Sequence, residues 1–322
     1  MDFCRGRSTG AAWADTTSAC ALRRFQRRRR AGLGPRAKGG RRPQRPGRGV
    51  PSGSLRRGRG WCSPLMKPEL REVAWCYGIA FAGTAALAGL GELAPSALPG
   101  PMGALASEVA SAGTALMFFG LALSRARKEP EGPRRFGIDL AGIVEPTREE
   151  LERTDGRGLG LVETFRAAAP SGLREAGFAL GLAALIFPPF VVGFWWWHAP
   201  THAWRWSAPP DLPSFALAQV LMVALPEEAF FRGLVQTRLH DLWPPRRALL
   251  GAPVDARALV LQAALFAFVH LAAEPRLDKL ATFFPGLLFG WLRARRGGIG
   301  AAVLLHALSN VLADFLVRGW LA

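Results

Sequence analysis

Cysteine is scarce in this chain: four in 322 residues, Cys4, Cys20, Cys62 and Cys76, with no two at CxxC spacing. Such a set offers neither a disulfide framework nor a thiolate zinc site. Lysine is scarcer still relative to its partner, 4 against 37 arginines. With abundant Ala, Gly and Pro, that bias reads as the product of a GC-rich, bacterial genome. There is no internal repeat, and no His-Glu-x-x-His segment of the kind that builds a helical zinc protease site. The first 65 residues lack any apolar run long enough to span a membrane or to form a signal-peptide core. They also lack acid: 17 Lys+Arg stand against 2 Asp+Glu, a net +15 of the chain's +17, which leaves +2 for residues 66–322. The extreme basicity therefore belongs to the arm and not to the remainder.

Residues 1–65 run through RRFQRRRR and GLGPRAKGGRRPQRPGRG. Gly, Pro and Arg bury little surface to offset the entropy of ordering a backbone, so this arm is expected to be disordered and dispensable. Two readings stand side by side. A basic arm of this kind binds polyanions, RNA or anionic lipid. Alternatively, translation starts at Met66, whose MKPELREVAW has the look of a natural beginning. Nucleic-acid binding is not expected of the folded part.

From Glu72 onward, apolar runs recur at 72–94, 103–124, 173–197, 213–238, 257–273, 279–294 and 298–320. A helix needs roughly 20 apolar residues to cross about 30 Å of hydrocarbon. The pattern predicts an all-α, polytopic membrane bundle of about seven transmembrane helices, two of them short. Arginine placement orients it. The segment 125–174 carries Arg125, Arg127, Lys128, Arg134 and Arg135; the loop 239–256 carries Arg246 and Arg247; the turn before 298 carries Arg293, Arg295 and Arg296. The loop 95–102 has no basic residue and 198–212 has only Arg205. Basic loops face the cytoplasm, so the N-terminus is expected inside, with Arg276 and Lys279 as exceptions on the outer side. Trp195, Trp196, Trp197, Trp204 and Trp206 flank an outer loop, where an interfacial aromatic belt belongs. The polar stretch 125–172 reads as a cytoplasmic connector with a short amphipathic helix near 146–153. Residues 66–200 thus form an N-terminal membrane unit, and 201–322 a second one.

Ionisable groups at bilayer depth cost at least about 2.5–3.5 kcal/mol each, so they are paired or functional. Three runs carry them: ALPEEAFFRGLVQTRL with Glu227, Glu228 and Arg232; LFAFVHLAA with His270; and LLHALSNVLADF with His306, Asn310 and Asp314. Glu228 and Arg232 stand four apart and share a helix face, where a planar guanidinium meets a carboxylate well. Glu227 lies about 100° round the helix from Glu228 and points elsewhere. His306 and Asn310 repeat the four-residue spacing, as do Phe266 and His270. A lone buried histidine is usually a satisfied helix–helix contact, but a carboxylate, two imidazoles and an amide on three helices form one polar cavity more readily than three unrelated contacts.

These residues resemble the three signatures of the CAAX protease and bacteriocin-processing (Abi) family. They are Glu227-Glu228-Ala229-Phe230-Phe231-Arg232, Phe266-Ala267-Phe268-Val269-His270 and His306-Ala307-Leu308-Ser309-Asn310, in that order. The resemblance covers roughly 210–320. It implies that 201–322 is a catalytic core with its site inside the bilayer, hydrolysing a peptide bond near the C-terminus of a membrane-associated protein or peptide. A bacterial inner membrane is the expected setting. Glu227 is the expected base, since burial disfavours the charged form of a carboxyl and brings it toward the range where a general base works best. His270 would help orient the water, and His306 and Asn310 would donate to the oxyanion, a role often contributing about 3–4 kcal/mol per donor. Glu228 and Arg232 are expected to support the helix face.

No metal is the favoured expectation. Zinc is the alternative, with Glu227, His270 and His306 as ligands in the two-His, one-Glu set of some metalloproteases. From another class comes a non-proteolytic reading: a transporter, or an immunity or scaffold member of the same family.

Overall fold

The computed structural model describes residues 66–98, 100–144, 152–156 and 158–321. The basic arm and most of the amphipathic turn expected at 146–153 lie outside these residues. Seven principal helices follow: α1 (Pro68–Ala97), α2 (Pro101–Ala126), α3 (Leu161–His198), α4 (Leu212–Leu242), α5 (Ala256–Ala273), α6 (Phe283–Arg296) and α7 (Gly300–Trp320). All but α6 are long and apolar enough to cross a membrane. The protein is an all-α polytopic membrane bundle. The strands among the described residues are a two-residue antiparallel pair, Ala248–Leu249 with Ala252–Pro253, between α4 and α5.

Large apolar side chains stay exposed along the outside of the bundle, among them Leu93, Leu116 and Leu185, each more than 60% open. On a soluble domain such a surface would drive association; here lipid is its natural solvent. Trp195, Trp196 and Trp197 are exposed at the end of α3. The α3 helix begins at Leu161, twelve residues before the expected start of its apolar run, because the helix carries on through the polar side of the connector. Its Glu175 meets the Arg296 guanidinium at 2.5 Å and so ties α3 to the end of α6.

The run expected at 279–294 divides into a 3-10 turn, Leu277–Thr282, and the 14-residue α6. At about 1.5 Å per residue, α6 covers roughly 21 Å, short of a bilayer's hydrocarbon. Its work is internal. Gly286 and Gly290 form a small-xxx-small face on which α5 lies close. A Cβ at Gly286 would fall 3.2 Å from Ala263 Cβ, and one at Gly290 would fall 2.7 Å from Leu259 Cδ1.

The α4 helix is not uniform. Asp211 caps it by accepting from the Ser214 N–H at 3.3 Å. The helix then alternates between α and π hydrogen bonding, with π turns at Gln219–Ala224 and Ala229–Val235 on either side of Leu225–Glu228. Pro226 sits in the middle and has no N–H to give the ladder. Single π turns inside helices are frequently found at functional sites.

The arginine-rich face is sealed by ion pairs. Arg238, near the end of α4, reaches Glu72 of α1 and Glu129 of the following connector at 2.8 Å each. Arg135 bridges Glu129 and Asp241, meeting the latter at 2.7 Å. The connector folds under this cluster with a helical turn, Pro133–Phe136, whose buried Phe136 ring lies beneath Arg238. On the opposite face, both unexpected cations are matched by carboxylates: Arg276 by Asp278 at 2.7 Å and Lys279 by Glu274 at 2.8 Å.

Candidate active site

Glu228 and Arg232 are both fully buried, 2.9 Å apart on one face of α4. The low dielectric that strengthens their attraction also makes each expensive to leave alone. Three rings enclose the guanidinium, with Phe266 at 4.1 Å, Phe289 at 5.2 Å and Phe231 at 5.9 Å from its centre. In a dry site, such cation–π contacts add to the pair at up to about 2 kcal/mol. The Arg232 Nη2 also donates to the Gly286 carbonyl at 3.3 Å. That carbonyl accepts from Gln262 as well, at 2.9 Å, while Gln236 donates to the Gly290 carbonyl at 2.8 Å. Glycine on α6 thus exposes backbone oxygens that anchor α4 and α5.

His306, on α7, completes the group. Its Nδ1 lies 2.9 Å from the same Glu228 Oε1 that Arg232 holds. An ionised carboxylate can only accept, so Nδ1 carries the hydrogen, and in a neutral imidazole Nε2 would then present a lone pair. That Nε2 lies 3.8 Å from Glu227 Oε2. The separation is beyond a direct hydrogen bond but within reach of one shared water. Glu227 Oε2 is buried without a hydrogen-bond partner. The His306 ring stacks on Phe289 at 5.0 Å, which helps to hold its plane.

His270 and Asn310 stand apart from this cluster. The His270 Nδ1 donates to the Phe266 carbonyl one turn back, at 2.8 Å, and the His270 and His306 rings both pack edge-on against Phe266, with centroids 4.7 Å and 5.9 Å from it. Asn310 donates to Gln219 Oε1 at 2.9 Å, which ties α7 to the first π turn of α4. Among the described residues, no hydrogen bond joins His270 or Asn310 to Glu227. Asp314 is paired with Arg318 at 2.6 Å, one turn on.

The zinc alternative would need Glu227, His270 and His306 gathered around one point. Among the described residues, no group of three His, Cys, Asp or Glu side chains is gathered that could hold a metal ion. Both histidine rings instead pack edge-on against Phe266.

Glu227 also borders a cavity of about 690 Å³ between α1, α2 and the first half of α4. Thr84 and Phe118 line it alongside Glu227 at mid-helix depth, and Glu92, Glu108 and Glu274 line it further out. Gln219, Gln236, Gln262, Gly286, Phe289 and Gly290 escaped the sequence reading. The glutamines sit within apolar helices and were legible as buried polar groups; the Gly286-x-x-x-Gly290 spacing was legible as a packing face.

Glu227 thus borders a cavity and is backed by a buried cluster of Glu228 and Arg232 from α4 and His306 from α7. Residues 209–312 match the family model of type II CAAX prenyl endopeptidase Rce1-like proteins. The match covers about a third of the chain and supports, for that segment, the resemblance to the CAAX protease and bacteriocin-processing family. No curated protein matches the chain, and no solved structure does.

Proposed function

We infer that the protein hydrolyses a peptide bond near the C-terminus of a membrane-anchored protein or peptide, in a bacterial inner membrane, by a glutamate-dependent mechanism without metal. The observation that carries this reading is Glu227: one carboxylate, bordering the cavity, with an unpartnered Oε2 that is 3.8 Å from His306 Nε2.

A water between those two atoms would give one hydrogen to each acceptor, which leaves an oxygen lone pair free for attack. Glu228 fixes the tautomer of His306 and so the direction in which Nε2 accepts. As the water oxygen bonds to the scissile carbonyl carbon, its proton passes to Glu227. The tetrahedral oxyanion needs donors. Asn310 is the best candidate, because its amide has a second N–H beyond the one given to Gln219. The neutral His306 has none at Nε2. When the C–N bond breaks, Glu227 returns its proton to the departing amine and the carboxyl product leaves. His270, with Nδ1 committed to Phe266, presents Nε2 as a further acceptor that a shift of substrate or water would reach.

The test is Glu227→Gln in the full chain, in proteoliposomes, with gel readout of membrane-anchored candidate substrates. The amide is nearly isosteric, so the fold is expected to survive, while loss of the general base is expected to lower turnover by about 10²–10⁴-fold. Wild type is expected to keep working in the presence of chelator. Substantial turnover by Glu227→Gln would sink the mechanism, and chelator inactivation reversed by zinc would restore the metal reading.

A further inference from the structure

We propose that the protein holds the phosphodiester headgroup of an anionic phospholipid in a hollow between the start of α1 and the end of α2, apart from the site around Glu227.

The hollow measures about 570 Å³ and shares no lining residue with the Glu227 cavity. Its charges do not balance. The two carboxylates that line it, Glu72 and Glu129, are both taken by Arg238 at 2.8 Å each. Arg71, Arg125 and Lys128 line it too, and among the described residues none of the three has a carboxylate partner. The Arg125 Nε is buried without a hydrogen-bond acceptor. A buried donor left unmet is costly, so an acceptor oxygen brought into the hollow would relieve it.

Helix dipoles account for only part of this charge. Arg125 and Lys128 stand at the end of α2, where a cation is favoured; Arg71 stands close to the start of α1, where a cation is disfavoured. One anion placed between the three suits all of them, and the oxygens of a phosphodiester match guanidinium donors well.

The position in the fold selects lipid as the source of that phosphate. Both α1 and α2 are long and apolar enough to cross a membrane, so the hollow between their ends lies at the level of the headgroups. Trp75 lines it two turns into α1 and is 65% exposed, the placing of an interfacial indole, whose N–H is one more donor. A headgroup held there ties together the two helices that border the Glu227 cavity further along their length. Binding therefore stabilises the folded bundle by mass action.

The experiment is thermal unfolding of the delipidated full-length protein in detergent, titrated with phosphatidylglycerol, phosphatidylcholine or inorganic phosphate. Wild type is expected to gain melting temperature with phosphatidylglycerol alone. Arg71→Gln/Lys128→Gln changes two exposed side chains, so its melting temperature without lipid is expected to match wild type. Its titration midpoint is expected to rise about 30-fold, and that of Arg71→Gln alone about fivefold. Arg246→Gln/Arg247→Gln removes the same charge from exposed positions outside the hollow and is expected to keep the wild-type midpoint. The basic arm is common to every variant, so its own attraction for lipid cancels in the comparison. An unchanged midpoint in both Arg71 variants, an equal weakening in Arg246→Gln/Arg247→Gln, no rise in wild type, or a rise with phosphatidylcholine would overturn the proposal. A rise with inorganic phosphate as large as that with phosphatidylglycerol would make the hollow a free-phosphate site and overturn it as well.

Discussion

Glu228 answers to two partners at once, since the same Oε1 meets Arg232 and His306 at 2.9 Å each. Removing its charge leaves a fully buried guanidinium without a counter-ion among three aromatic rings. Glu228→Gln and Arg232→Gln are therefore expected to lower folded yield, with about 3–5 kcal/mol lost for a broken buried pair. Size-exclusion recovery and thermal unfolding in detergent check this; normal yield with abolished turnover would make the pair part of the chemistry instead. The Glu228 contact to His306 was not legible in the sequence. Spacing along one helix gives Glu228–Arg232, but 78 residues separate Glu228 from His306, and only packing of α7 on α4 joins them. Phe289→Leu removes the ring stacked on His306 while leaving its hydrogen bond. It is expected to lower turnover through loss of imidazole alignment, with a smaller effect on melting temperature than Arg232→Gln.

At the scale of the element, α6 shows how a helix too short to span still holds the site. Gly286 and Gly290 let α5 approach and free two carbonyls to accept from Arg232, Gln262 and Gln236. Gly286→Val and Gly290→Val each place methyls where Ala263, Phe266 or Leu259 already are. Overpacking of this kind costs about 1–3 kcal/mol, and the expected outcome is a lower melting temperature for both. At Gly290 the nearest atom is the Gln262 amide, so the substitution there is expected also to displace the hydrogen bond Gln262 gives to the Gly286 carbonyl. The π turns of α4 were equally hidden. Pro226 in the sequence announced an interrupted ladder, but whether a helix kinks, breaks or widens there depends on the neighbours that surround it.

For the whole molecule, the ion-pair seal sets a pH dependence. The hydrogen bond from Arg238 holds the Glu129 carboxyl below its ordinary value of 4.5, against the opposing effect of burial, with Arg135 assisting. A depressed carboxyl contributes stability that is complete above the unfolded value and is lost as pH falls through the folded one. Melting temperature in detergent is thus expected to hold down to the ordinary glutamate range and fall below it, and Glu129→Gln is expected to flatten that fall. The bundle itself was written in the sequence. Apolar length fixes which segments enter the bilayer, because an unpaired backbone in hydrocarbon is prohibitive and the helix is the local remedy. The polar residues Glu227, Glu228, Arg232, His270, His306 and Asn310 stood out for the same reason: charge at that depth has to be accounted for by something. Partnership was another matter. That His306 turns to Glu228 and Glu227, that Asn310 turns to Gln219, and that both histidine rings meet Phe266 all follow from how helices distant in sequence rotate and pack. Periodicity gives the face of one helix and carries no information on its neighbour's rotation, so those contacts were decided only by the tertiary structure.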